Sequence, residues 1–91
     1  MSDTNDNETL LEFPSAFPIK AFGRDGAAFR DTVVEIVARH ARFDPEADVQ
    51  VNASSKGNFV SVTVTFTAES KSQVDIIYQT LHDHELVLMV L

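Results

Sequence analysis

Two alternating runs on either side of a short polar break do most to limit what this chain can become. In the first, Val49, Val51 and Ala53 alternate with Gln50 and Asn52; in the second, Val60, Val62, Val64 and Phe66 alternate with Ser61, Thr63 and Thr65. A period of two gives each strand one apolar and one polar face, so a slip of a single residue would turn the apolar row to water. Pairing Ala53 with Val60, Val51 with Val62 and Val49 with Val64 sets Ser55 opposite Asn58 and leaves Lys56 and Gly57 as a two-residue turn. Turn chemistry then accounts for the break, Ser54, Ser55, Lys56, Gly57 and Asn58. Gly57 supplies positive φ, and the polar neighbours satisfy free backbone groups.

Around this hairpin the periodicity changes. Phe17, Ile19 and Ala21 alternate with Pro18, Lys20 and Phe22, a first strand bounded by Pro14 and Gly23. "GRDG" interrupts it, and Asp25 is placed to cap a helix from Gly26 to Ala41 whose stripe is Phe29, Val33, Ile36, Val37 and His40. Glu35 and Arg39 stand four apart in the favourable order, and Arg39 and Arg42 suit the negative end of the helix dipole. Pro45 in "FDPEAD" stops the helix from continuing. A capping box of Ser70 and Gln73 starts a second helix, Ser70 to His82, with Val74, Ile77, Tyr78 and Leu81 on one stripe. "ELVLMVL" closes the chain as a fourth strand.

The order strand, helix, strand, strand, helix, strand predicts an α+β ferredoxin-like βαββαβ sandwich, a four-stranded antiparallel sheet with both helices on one face. Its expected core is Ile19, Phe29, Val33, Val37, Val51, Val62, Val64, Phe66, Val74, Ile77, Leu81, Leu86, Leu88 and Val90. Alternation assigns Lys20, Phe22, Gln50, Asn52, Ser61, Thr63 and Thr65 to the open face, joined by Val87, Met89 and Leu91 of the last strand. That strand is expected at an edge, where free backbone groups and apolar area combine into a surface that proteins usually cover. A second copy, a partner protein or the "LLEFP" segment folded back would serve.

Composition narrows the function classes. The chain has 91 residues, enough for one domain, and no cysteine, which removes disulfides and thiolate chemistry. Asp and Glu outnumber Lys and Arg by 14 to 7, so nucleic acid is not expected as a partner. Part of this excess lies in residues 1–10, expected as a flexible acidic tail before a single domain over 11–91. With no membrane-length apolar run and no signal segment, the expected location is the cytoplasm, away from any membrane.

"LLEFPSAFPIKAFG", Leu10 to Gly23, "SSKGNFVSVTVTF" and the final "VLMVL" resemble the YbeD-like family of small uncharacterised bacterial proteins, and the resemblance runs from Leu10 to Leu91. It implies a ferredoxin-like fold similar to ACT regulatory domains, a cytosolic place and a loose association with lipoate metabolism. No catalytic residue, cofactor or metal comes with it. It does imply a ligand position at the first strand-to-helix turn, here Gly23, Arg24, Asp25 and Gly26, where glycines allow close approach and a helix start offers amides. The carboxylate of Asp25 would compete for those amides.

Two other patterns have plain structural explanations. "GAAFR", Gly26 to Arg30, is similar to part of the acylphosphatase signature, with Asn52 and Gly57 as faint counterparts, but the preceding "GRD" puts a negative charge where phosphate would sit. "HDHE", His82 to Glu85, holds metal-ligating side chains in a stretch too short to enclose an ion. The reading is a regulatory or adaptor domain that binds a protein or self-associates through its C-terminal edge strand, without catalysis. The alternative is an ACT-like sensor of a small effector, with an acylphosphatase-like hydrolase as a remote third.

Overall fold

The structure, a computed structural model, describes residues 12–24, 27–53 and 58–91. Its elements run β1 (Ser15–Arg24), α1 (Ala27–Ala38), β2 (Val49–Ala53), β3 (Phe59–Ala68), α2 (Lys71–Asp83) and β4 (Val87–Val90). The four strands make one antiparallel sheet in the order β2-β3-β1-β4. This is the ferredoxin-like α+β arrangement, with β1 and β3 central and β4 at an edge.

The hydrophobic rows set the hairpin register as expected: Val49 faces Val64, Val51 faces Val62 and Ala53 faces Val60. The turn itself, with Ser54, Ser55, Lys56 and Gly57, lies outside the described residues, as do Asp25, Gly26 and the first eleven positions; Asn58 is described and exposed.

Ile19, Ala21, Val33, Val37, Val62, Val64, Phe66, Ile77 and Leu81 are sealed between sheet and helices, with Phe29, Ile36, Val60, Ala68 and Val74 completing the core. Three residues expected inside are not: Val51, Leu86 and Leu88 remain 46%, 43% and 54% exposed. Val51 points to the helix side of the sheet, but the helices rest mainly on β1, β3 and β4, so an apolar residue on edge strand β2 gains no cover. Leu86 precedes β4 in a turn, and Leu88 falls in an irregularity of the ladder described below.

Pro18 sits in a central strand, which its missing N–H would ordinarily forbid. Leu91 exchanges two backbone hydrogen bonds with Lys20, at 2.7 and 3.1 Å, so alternate residues of β1 turn their polar groups toward β4. Pro18 shares that orientation, and its partner on the other side, Thr65, donates instead to Asp48 O at 2.9 Å. The ladder between β1 and β4 begins only at Lys20, so no strand hydrogen bond is lost at Pro18.

Both helices are shorter or shifted relative to their sequence patterns. α1 ends at Ala38, after which Arg39 and His40 form tight i to i+3 bonds to Ile36 O and Val37 O. The Arg39 pair with Glu35 forms at 3.3 Å on the exposed face. At α2 the Ser70 hydroxyl accepts the Gln73 N–H at 3.1 Å, while Gln73 Oε1 accepts the Glu69 N–H at 2.6 Å, one residue before the cap. Gln73 Nε2 also donates to His40 O at 2.7 Å, tying the start of α2 to the end of α1.

Candidate functional site

The unusual surface begins at a β-bulge. Ala21 faces Val90 and Phe22 faces Met89, but Gly23 faces Val87, so Leu88 is an extra residue on the β4 side. Simple alternation assigned Val87 to the open face with Met89 and Leu91. The bulge reverses that assignment: Val87, opposite the buried Gly23, packs against the core, as does Val90. Leu88 takes its place outside. Leu86, Leu88, Met89 and Leu91 are between 43% and 60% exposed on one short strand and its flanks. Sequence alternation could not reveal the insertion, because an unbroken apolar run reads the same in either phase.

Beyond β4 the sheet has no further strand among the described residues. Because Leu91 is hydrogen-bonded to Lys20, the N–H and C=O of the preceding Val90 point the other way, to the free edge. Above that edge runs α2. Gln73 marks the side of α2 turned to α1, so Asp75, Gln79 and His82 occupy its outer side. Together with Tyr78 and Val90 they line an open cleft of about 330 Å³ between α2 and the end of β4. Tyr78 meets Phe17 edge to face, with ring centroids 6.5 Å apart.

The open face of the sheet has its own chemistry. Every residue of the four strands that the register places there is apolar, neutral polar or cationic, the cations being Lys20 and Arg24; beyond the β2 side, Arg42 bridges to Thr67 and Asp48 O accepts from Thr65 N. Lys20 Nζ lies 5.9 Å from the centre of the Phe22 ring, and the Arg24 guanidinium 5.6 Å from that of Phe59. Neither has a carboxylate partner among the described residues.

The first strand-to-helix turn is narrower than the sequence suggests. Gly23 and Arg24 belong to β1, paired with Val60 and Phe59, and only Asp25 and Gly26 remain between strand and helix, outside the described residues. A Cβ on Gly23 would collide with the Phe29 ring, whose Cζ would be 2.7 Å away. Glycine here makes room for a core side chain.

The remaining motifs are absorbed locally. Arg30 lies 3.4 Å from Asp31 and donates to Pro45 O at 3.3 Å; it sits in the helix layer, while Asn52 is on the open face opposite Ser61. His84 Nδ1 accepts the Leu86 N–H at 3.1 Å, and His82 lies 3.4 Å from Asp83. Gln79, which donates to Asp83 at 2.9 Å, and then His82 hold the Asp83 carboxyl below its ordinary value. Among the described residues no three potential ligands gather as a metal site, and no helix is long and apolar enough to cross a membrane.

A ferredoxin-like α+β domain, with β4 as an edge strand among the described residues, is the class that the fold defines. The chain belongs to the family described as "Protein of unknown function (DUF493)", which matches residues 8–91 and corresponds to the YbeD-like resemblance in the sequence. A UPF0250 protein of Chromobacterium violaceum is 44% identical over 91 residues, covering all of both chains. One from Nitrosomonas europaea is 39% identical over 84 residues, or 92% of this chain and 97% of its own. In fold, the chain is similar to the solution structure of protein HP0495 from H. pylori, with TM-score 0.68 and 15% identity, covering 89% of this chain and 85% of that one.

Proposed function

We propose that this domain is a regulatory or adaptor module that binds another protein through β4 and does no chemistry of its own. One observation carries the reading: four large apolar side chains, Leu86, Leu88, Met89 and Leu91, are exposed together beside a strand edge that no other described strand pairs with. An edge of this kind is costly to leave bare, because it invites pairing with any extended chain. Scattered apolar residues need no explanation, whereas a contiguous set on an open edge marks a contact surface.

A photo-crosslinking residue placed at Met89, with Glu35 on the far helix face as control, tests the reading in cells. A discrete protein adduct at position 89 and none at 35 is the expected result. Equal labelling at the two positions overturns it. For the effector alternative, the one described feature at the strand end of the turn is the Phe29 ring against Gly23, a core contact that needs no ligand to explain it. A saturable rise in melting temperature with an amino acid, or with lipoate or octanoate, would favour that alternative.

A further inference from the structure

The geometry points to the mode of binding and to the chemistry of the partner: an extended acidic segment of another protein that adds to β4 as a fifth strand, with one apolar side chain seated in the α2 cleft. This inference rests on the reading of β4 as a protein-binding edge. Strand addition draws affinity from main-chain hydrogen bonds and specificity from pockets for alternate side chains. Both parts are in place. Val90 turns its N–H and C=O to the free edge, and the cleft of about 330 Å³ between Tyr78 and Val90 opens where the helix-side residues of a fifth strand would fall.

The opposite face of the added strand decides its charge. Its residues would lie beside Leu88, Met89 and Leu91, with Lys20 next to Leu91 in the adjoining strand and Arg24 further along it. In a chain of net charge −7, the strands of this face carry no acid, and Lys20 and Arg24 have no carboxylate partner among the described residues. Asp or Glu at alternate positions would complement it, and Lys or Arg would not. A second copy is the poorer occupant, since pairing β4 with itself brings the same cations together and joins two chains of like net charge.

The test displays three peptide libraries that alternate large apolar residues with Asp/Glu, with Lys/Arg or with Ser/Asn, selected on the immobilised full chain. The acidic library should be enriched over the basic one by roughly tenfold or more. The doubly substituted Lys20→Glu, Arg24→Glu chain should lose or invert that preference. Enrichment of the basic or neutral library, or of none, overturns the inference.

Strand addition has a direct readout: the Val90 amide of the unsubstituted chain should exchange with solvent more slowly once an enriched peptide is added. Val90→Pro removes that donor at an edge where proline is tolerated, and should abolish binding while the domain remains folded by its amide spectrum. Binding that resists Val90→Pro and leaves Val90 exchange unchanged, yet fails in Met89→Asp, removes strand addition and leaves the binding edge standing. Binding that survives both substitutions removes the edge as well. A dimer of the unsubstituted chain, dissolved by Met89→Asp and excluding the peptide, would replace the acidic segment by a second copy.

Discussion

The ring of Phe29 occupies the space that any side chain on Gly23 would need, so the last turn of β1 and the first turn of α1 are packed together through a missing Cβ. Gly23→Ala forces the ring or the strand to move. Overpacking of this kind costs about 1–3 kcal/mol. Phe29→Leu is destabilising alone but should relieve part of the Gly23→Ala penalty, giving a favourable coupling in a double-mutant cycle followed by urea denaturation. Additive losses would mean that the two residues do not share this space.

The bulge in β4 makes an opposite prediction for neighbours two apart. Val87 packs on the core and Met89 is 50% exposed. Val87→Asp places a charge against apolar groups and should destabilise by at least about 1–3 kcal/mol, whereas Met89→Asp should fall within about 0.5 kcal/mol of the starting stability. Denaturant midpoints for the two proteins decide it. Simple alternation, which puts both residues on the open face, predicts similar small effects.

Where the fold was legible in the sequence, one period held over a whole element. The rows Val49, Val51, Ala53 and Val60, Val62, Val64 define a hairpin register that the structure reproduces pair by pair. Legibility ends where burial depends on what stands above a residue. Val51 has the right parity for the core but no helix over it, and Ala21 and Ala68 are fully buried although alanine contributes little to any pattern. The C-terminal run "LVLMVL" has no polar residue to report its phase, so the bulge at Leu88 was invisible: Met89 and Leu91 were placed correctly on the outside, but Val87 was exchanged with Leu86 and Leu88. The α2 cleft joins residues of one helix face to a strand end, a juxtaposition that no linear spacing records.

Gln73 links three parts of the fold, accepting from Glu69 N at 2.6 Å and donating to His40 O at 2.7 Å while its own N–H is held by Ser70. Gln73→Ala loses two side-chain hydrogen bonds and should cost about 1–2 kcal/mol. Ser70→Ala loses the cap, for about 1 kcal/mol. Gln73→Glu separates the two contacts, because it keeps an acceptor for Glu69 N but sets a carboxylate against the His40 carbonyl. Amide exchange should then quicken where α1 and α2 meet, with the first turn of α2 less affected.

The connection before β2 predicts a pH dependence. Asp44 Oδ1 accepts the N–H groups of Glu46 and Ala47, at 2.9 and 3.2 Å, and these bonds, Glu46 first, hold its carboxyl below the ordinary value of 3.8. A carboxyl lowered in the folded state contributes stability that is fully present above that ordinary value and is lost as pH falls through the lower folded one. Asp44→Asn keeps an acceptor oxygen without the charge. At neutral pH the asparagine protein should therefore be the less stable of the two, by a margin that salt reduces because the group is exposed. Below the folded value the aspartate is itself neutral, and the two denaturation midpoints should converge. A gap that stays constant into strong acid would show that the charge of Asp44 contributes nothing to this turn.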